Sequence, residues 1–265
     1  MSDSLSSPVT ILGVRIDDVT MQEACDHIAN LIARGGAHQV ATVNPEFIMT
    51  AQRDAEFAAV LAHNSLNVPD GVGVLWAARR LGHPLRERVA GVDMVQQLCA
   101  LGSQYKWRAY FLGARDGIAE RAAAVLAFKY QGLIVAGAYA GSPSPDDDRD
   151  TVARIVRSRP NLLFVAYGAP AQDKWLARNL AQIAAQVEMN GSKTAGSPEG
   201  PGGLVGIGVG GAFDFITGIQ MRAPETMQRA GFEWLYRLLR EPRRLRRQLA
   251  LVRYALAVML QSKQA

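Results

Sequence analysis

One carboxylate stands where the sequence predicts a sharp turn. The short apolar run that begins at Leu66 stops at Pro69-Asp70-Gly71, where Pro fixes φ, Asp bonds nearby amides and Gly accepts a positive φ. In open α/β sheets ligands bind at the carboxyl ends of the strands. A carboxylate held on a turn there can act as a general base that accepts a proton from a hydroxyl group. The alternative is an ordinary helix N-cap, which the turn taken by itself favours.

Other polar or glycine-rich turns follow predicted strands in the same way. They occur near residues 44, 113, 168 and 210, and each comes after a short apolar run. Apolar runs of strand length alternate with segments of helical periodicity, which predicts parallel strands joined by crossover helices. The carboxyl ends of such strands share one edge of the sheet, so we expect these turns to converge on a single site. The predicted fold class is α/β, with a Rossmann-like, mostly parallel sheet flanked by helices.

Composition and charge bound the class of protein. The chain has 265 residues and the composition of a globular protein. Its N-terminus lacks the basic-then-apolar pattern of a signal peptide, and no run is long enough for a spanning helix. Cys25 and Cys99 lie in apolar helical segments and are predicted to be buried thiols. The four histidines show no metal-ligand spacing, so we expect no metal site and no cofactor.

The C-terminal segment differs from the rest of the chain. Residues 1–221 carry 19 Lys and Arg against 21 Asp and Glu, whereas residues 222–265 carry 10 against 3. Two helices are predicted there, each with an apolar stripe and many arginines, which is typical of interfacial anchors. We therefore divide the chain into a core, 1–221, and a basic amphipathic helical appendage, 222–265. The alternative is an ordinary amphipathic helix packed on the core or in a homo-oligomer.

Three stretches invite other interpretations. Residues 187–203 are rich in Gly and Pro and predict a flexible insertion, more simply a linker than a flap. The run Gly206–Gly211 fits the dinucleotide pattern GxGxxG, but no acidic strand end follows at the expected distance, so it favours at most a diphosphate contact through backbone amides. Asp146–Asp148 resembles a metal-binding Asp-x-Asp, although an acidic helix cap explains it well.

Taken together, the motifs resemble the WecG/TagA/CpsF glycosyltransferases, glycosyltransferase family 26. The resemblance runs in order over nearly the whole chain from about Val9. The matching stretches are Thr42–Glu46, Pro69–Gly73, Arg88–Asp93, Phe111–Gly113, Tyr167–Trp175, Gly208–Phe215, Arg222–Pro224, Glu233–Arg237 and Glu241-Pro242. Two departures stand out: the insertion is longer than expected, and Ala171 and Asp173 replace an expected Lys and Glu.

The resemblance implies an inverting, metal-independent transfer of a sugar from a UDP-sugar to a polyprenyl-diphosphate-linked sugar in the synthesis of bacterial surface polysaccharide or cell-wall polymer. The transferred sugar would be of the N-acetylmannosamine type or a hexose such as glucose. The family's appendage docks on the membrane, so the expected location is cytoplasmic, peripherally bound to the inner face of the cell membrane.

On this basis Asp70 is the predicted base, and Thr42 and Asn44 would bind the sugar or orient Asp70. Gln172 would bind donor hydroxyls or uridine, and arginines would hold the departing diphosphate, because guanidinium matches its geometry. The predicted substrate-binding residues are Arg88, Asp93, Gly113, Gly168, Gln172, Asp173, Gly210, Gly211, Arg237, Arg244 and Arg247.

Three other functions stay open at this point. The first is a nucleotide-dependent oxidoreductase or epimerase on the same fold. The second is a nucleic-acid binder that uses the basic tail, although the tail aromatics lie beside a Leu stripe and not among the arginines, so no specific nucleic acid is expected. The third is a membrane-bound binding protein without catalysis.

Overall fold

The structure is a computed structural model that describes residues 7–190, 202–224, 226–227 and 245–261, with the backbone alone for 190 and 245–250. Within these ranges no helix combines the length and the apolar character that a membrane crossing requires.

The chain begins with a two-stranded antiparallel hairpin, β1 (Val9–Ile11) and β2 (Val14–Ile16). The sequence predicts one β run over residues 9–16, but Leu12 and Gly13 both adopt positive φ, 46° and 77°. The chain therefore turns back on itself between the two strands.

A six-stranded, wholly parallel sheet forms the centre of the fold. Its strands are β3 (Ala37–Val43), β4 (Leu66–Pro69), β5 (Arg108–Gly113), β6 (Ile134–Tyr139), β7 (Leu162–Ala166) and β8 (Leu204–Gly208). They lie in the order β4-β3-β8-β7-β5-β6, and every neighbouring pair is parallel. β7 and β8 are buried along their whole length, as expected for strands covered on both faces. The predicted Rossmann-like α/β class is confirmed.

Helices connect the strands and cover both faces of the sheet. They are α1 (Met21–Arg34), α2 (Pro45–Ala51), α3 (Ala55–His63), α4 (Val72–Arg80), α5 (Gly91–Tyr105), α6 (Ile118–Lys129), α7 (Asp148–Ser158), α8 (Ala171–Asn190), α9 (Ala212–Ile216) and α10 (Leu245–Gln261). Because α8 continues to Asn190, the insertion predicted over 187–203 begins later than expected, and 191–201 lies outside the described residues.

Local sequence fixes several of the helix starts. Thr20 forms a capping box with Glu23 at the start of α1, as the sequence predicts. Asn44 accepts hydrogen bonds from the backbone N–H groups of Glu46 and Phe47, and Asp54 accepts one from Phe57. These caps set where α2 and α3 begin. Because Asn44 directly follows β3, its cap also limits the carboxyl end of that strand.

The C-terminal helix α10 packs against α2 and α4. Tyr254 and Val258 are buried in the same apolar cluster as Phe47 and Phe57. The Tyr254 hydroxyl donates to the Gly73 carbonyl of α4 at 3.3 Å. Burial of an aromatic or large aliphatic side chain stabilises a fold by roughly 1.5–3 kcal/mol. One face of α10 is therefore part of the core.

Candidate functional site

The turns predicted to converge do lie on one edge of the sheet. The residues lie at or just after the carboxyl ends of β4, β3, β8, β7 and β5. In that spatial order they are Asp70, Asn44, Gly210, Gly168 and Gly113. Neighbouring strands lie about 4.8 Å apart, so these residues border one continuous strip. The strip spans roughly 19 Å from the end of β4 to that of β5.

Asp70 lies half-buried at the first position of this strip. Its backbone N–H donates to the Val43 carbonyl at 2.7 Å, and its Oδ2 accepts the Gly91 N–H at 3.2 Å. Gly91 is the first residue of α5, whose N-terminus favours a nearby negative charge. The carboxylate therefore bonds the first residue of α5, 21 residues further along the chain.

Thr42 and Asn44 occupy structural positions beside Asp70. The buried Thr42 hydroxyl donates to the Gly208 carbonyl at 3.2 Å. A Cβ on Gly91 would lie 3.2 Å from the Thr42 Cγ2 atom, so Thr42 packs against the residue that bonds Asp70. Asn44 caps α2. Both side chains make hydrogen bonds within the protein.

Gln172 joins two loops of the edge. Its Oε1 accepts the Gly168 N–H at 3.1 Å and the Gly210 N–H at 2.9 Å, and the residue is 1% exposed. The loops after β7 and β8 are thereby held together. Within the GxGxxG run, the Gly210 N–H bonds Gln172 and the Val209 N–H bonds the Val165 carbonyl. These two amides are therefore already engaged in hydrogen bonds within the protein.

Asp173 is the most deeply buried acid of the site, at 0% exposure. Neither carboxylate oxygen has a hydrogen-bond partner among the described residues. Burial raises the pKa of Asp173 to about 7, and the nearby Gln172 amide and the residue's own N–H oppose this increase more weakly. The Gln172 amide group is close, but it does not reach hydrogen-bonding geometry with either oxygen. Asp173 thus lies beneath the edge and does not face solvent.

The predicted glycines fall into two groups. A Cβ on Gly168, Gly210 or Gly211 would meet no atom within 4 Å, so these positions border open space. A Cβ on Gly113 would lie 2.8–3.0 Å from the backbone of Ala166, and its φ is 101°. The close approach of β5 and β7 explains Gly113 without a ligand.

Arg88 lies next to the site in a loop that is tied down on both sides. The N–H of its neighbour Val89 donates to the Pro69 carbonyl at 2.8 Å. Arg86 donates to Asp18 at 3.0 Å and to Glu23 at 2.6–2.8 Å. From the sequence this loop could be identified only as basic. The positions of Asp18 and Glu23 in the sequence do not indicate that Arg86 pairs with them.

Asp93 forms an ion pair that links the C-terminal segment to the core. Its carboxylate receives the Arg222 guanidinium at 2.5 and 3.2 Å, in a bidentate arrangement. Arg222 belongs to the matched Arg-Ala-Pro stretch, but the pairing with Asp93, 129 residues earlier, was not predicted.

The predicted tail arginines cannot be placed at the site. Arg237 and Arg244 lie outside the described residues, and Arg247 lies in the part of α10 described by its backbone alone.

Two other features lie apart from this edge. A cavity of about 610 Å³ lies between the N-terminal hairpin and the loop after α4, and Thr10, His83 and Gln261 contribute to its lining. None of the predicted site residues lines it. In the acidic run, Asp148 lies in the first turn of α7 and pairs with Arg178 of α8. Among the described residues, no group of three or more His, Cys, Asp and Glu is placed to hold a metal ion.

Six parallel strands, with an acid, an amide and open glycines at their carboxyl ends, define a Rossmann-like α/β protein with one candidate ligand edge. The sequence profile described as the Glycosyl transferase WecG/TagA/CpsF family matches residues 9–194 and 201–265. The chain belongs to this family and is a glycosyltransferase.

Two similar proteins carry the name N-acetylglucosaminyldiphosphoundecaprenol N-acetyl-beta-D-mannosaminyltransferase. The protein from Bacillus subtilis (strain 168) is 32% identical over 225 residues, which cover 84% of this chain and 80% of the relative. The protein from Staphylococcus aureus (strain MRSA252) is 27% identical over 246 residues, which cover 92% and 89%. Both relatives therefore align with most of this chain.

Proposed function

We propose that this enzyme transfers a sugar, of the N-acetylmannosamine type or a hexose, from a UDP-sugar to a polyprenyl-diphosphate-linked sugar, with inversion and without a metal ion. The product would serve bacterial surface polysaccharide or cell-wall polymer synthesis. The observation that carries this proposal is the position of Asp70, half-buried at the carboxyl edge and bonded to the N-terminus of α5. The names of the relatives supply the acceptor class.

In the proposed reaction, Asp70 accepts the proton of the acceptor hydroxyl as its oxygen attacks the anomeric carbon of the donor. The bond from that carbon to the UDP oxygen breaks, and the electron pair leaves with UDP. Attack opposite to the leaving group inverts the anomeric centre, through a transition state with oxocarbenium character. The Gly91 N–H holds Oδ2 of this carboxylate at 3.2 Å, which fixes the side chain at the edge where the proton would be accepted.

The donor would lie along the strip, with its sugar at Asp70 and its nucleoside towards β7 and β5. Gly168, Gly210 and Gly211 border the open space that this path requires. Arg88, in the loop clamped beside β4, would stabilise the negative charge of the departing diphosphate. Gln172 would define the floor of the donor site through its bonds to Gly168 and Gly210.

A peripheral position at the cytoplasmic membrane face accords with the outer surface of α10. Val252, Leu256 and Leu260 lie on one side of this helix and are 60%, 57% and 64% exposed, opposite the buried Tyr254 and Val258. An apolar outer face and a basic segment are what an anionic lipid surface would bind. The membrane would thereby bring the lipid-linked acceptor to the enzyme.

The Asp70→Asn variant tests the proposed reaction. Loss of the base is expected to lower turnover by about 10²–10⁴-fold, with UDP affinity little changed, because the amide keeps the shape of the side chain. Turnover is measured as UDP release with a UDP-sugar panel and a short-chain polyprenyl-diphosphate sugar. Asp26→Asn, an exposed acid on α1, is the control and should retain full turnover. Turnover of Asp70→Asn equal to that of the wild type would refute the assignment of the base.

A further inference from the structure

We propose that Arg222 is a positioning residue for Asp70. By binding Asp93, it keeps a second carboxylate away from the N-terminus of α5, where the proposed base is held. The inference rests on the proposed function, because it takes Asp70 as the base. It gives Asp93, predicted as a substrate-binding residue, a role that acts through Asp70.

Two carboxylates meet the N-terminus of the same helix. The Gly91 N–H, at the first position of α5, donates to the Asp70 Oδ2 atom at 3.2 Å. Asp93 lies in the first turn of this helix, and its Cα lies roughly 5.5 Å from that of Gly91. Because helical side chains tilt towards the N-terminus, the Asp93 carboxylate leans towards the end of α5 that holds Asp70.

The ion pair with Arg222 decides where the Asp93 carboxylate goes. An acid at the third helical position can reach back to the N–H of the N-cap residue. In α5 this residue is Ala90, which has no side chain to cap the helix and directly precedes Gly91. Asp93 instead gives both oxygens to the Arg222 guanidinium, at 2.5 and 3.2 Å. The favourable positive end of α5 is thereby left to Asp70.

The alternative is that the ion pair only tethers the segment after α9 to the core. Other contacts already hold this segment, because the Gln220 N–H donates to the Asp214 carbonyl at 2.9 Å and Ala223 is 3% exposed. The two side chains of the ion pair are 40% and 22% exposed, and such a pair adds little stability. Loss of the pair is therefore expected to change the charge around Asp70 more than the position of the backbone.

Removal of either partner would disturb Asp70 in a different way. Without Arg222, the Asp93 carboxylate becomes a second negative charge that competes with Asp70 for the amides at the start of α5. Without Asp93, the Arg222 guanidinium loses that carboxylate and can bind Asp70, and a carboxylate paired with a cation is a poorer base. Removal of both restores the balance of charge around Asp70.

The experiment compares Arg222→Gln, Asp93→Asn and the double variant Asp93→Asn/Arg222→Gln. Turnover is measured as UDP release with the UDP-sugar panel and the short-chain polyprenyl-diphosphate sugar, and the Gly91 amide resonance is followed by NMR. Each single variant should lower kcat about tenfold, with KM changed by less than about twofold, because a unit charge near the base is unbalanced while substrate contacts remain. Each should also shift the Gly91 resonance.

The double variant should recover both the turnover and the Gly91 resonance of the wild type. Arg178→Gln is the control, because it removes a bidentate ion pair with Asp148 that joins α7 to α8. This variant should behave as the wild type in both measurements.

A double variant as impaired as the single variants would show that the ion pair is only a tether. An unchanged Gly91 resonance in Arg222→Gln would also overturn the inference, and this reading needs no substrate. If the wild type releases no UDP with any sugar of the panel, the proposed donor is refuted. The Gly91 resonance still decides the role of Arg222 in that case, so the two failures are distinguishable.

Discussion

At the scale of single residues, the site is built from short contacts between segments that are far apart in the sequence. Gly91 bonds Asp70, Gly168 and Gly210 bond Gln172, and Arg222 pairs with Asp93. The first two contacts join a loop at the carboxyl edge to the first turn of a helix, and the third joins α5 to the segment after α9. The chemistry therefore depends on the relative positions of the loops as much as on the identity of the acids.

The pH dependence of stability tests the burial of Asp173. Its pKa is raised from an ordinary 3.8 to about 7 in the folded protein. Between these values the unfolded chain loses the proton while the folded chain keeps it, so the unfolding free energy falls as pH rises and levels off above pH 7. The contribution is at most roughly 4 kcal/mol.

Denaturant unfolding of the wild type and of Asp173→Asn at pH 4, 5.5, 7 and 8 measures this contribution as the difference between the two proteins. The variant lacks the titration, so its stability relative to the wild type should increase over this range. A difference that does not change with pH would show that the carboxyl group ionises normally.

The sequence predicts individual site residues better than their partners. The Pro-Asp-Gly turn and the strand-helix alternation suffice to place Asp70 at the edge, because both signals are local. The bond from Gly91, the floor formed by Gln172 and the clamp of Arg86 on Asp18 and Glu23 depend on which strands become neighbours. In the strand order β4-β3-β8-β7-β5-β6, two of the five neighbouring pairs, β3-β8 and β7-β5, join strands that are not consecutive in the chain, and no local pattern encodes these pairs.

At the scale of elements, α10 has two apolar faces with different roles. The helix was predicted as part of a basic amphipathic appendage, with packing on the core as the alternative, and Tyr254 and Val258 lie in the cluster that contains Phe47 and Phe57. Amphipathic periodicity predicts that a helix has an apolar stripe, but it does not say whether protein or lipid covers it. The structure shows a protein-covered face and an exposed apolar face on the same helix.

Truncation of Tyr254 tests the attachment of α10. Tyr254→Ala removes a buried ring from the contact with α2 and α4, and it is expected to lower the unfolding free energy by about 3–5 kcal/mol. The matched control is Leu256→Ala, two positions along on the exposed face, which should change stability by less than about 0.5 kcal/mol. Both are read by chemical denaturation. Equal effects of the two substitutions would contradict the described packing.

At the scale of the whole molecule, basic charge is concentrated in the C-terminal part of the sequence, where α10 also carries an exposed apolar face. Residues 222–265 carry the excess of basic side chains, and α10 presents Val252, Leu256 and Leu260 outward. A deletion of 222–265 would also remove Tyr254 from the core. Substitutions on the outer face therefore give a cleaner test of membrane docking than truncation does.

The double variant Leu256→Asp/Leu260→Asp should bind vesicles of phosphatidylcholine and phosphatidylglycerol at least about tenfold more weakly than the wild type, because apolar burial and anionic attraction are both reduced. Cosedimentation at low and high salt measures this. Phe128→Asp, at an 89% exposed aromatic on α6, is the control and should bind as the wild type. Equal loss in both variants would indicate general stickiness and not a defined docking face.

The N-terminal hairpin limits which edge of the six-stranded sheet can pair with a further strand. The Asp17 N–H that follows β2 donates to the Asn67 carbonyl, and the Asp17 carboxylate accepts the Asn67 N–H, so the outer side of β4 is occupied. Among the described residues, β6 has a strand neighbour on one side alone. A foreign polypeptide that adds a strand would join at β6, about five strand spacings or roughly 24 Å from Asp70. Self-association through the backbone would leave the carboxyl end of β4, where Asp70 lies, uncovered.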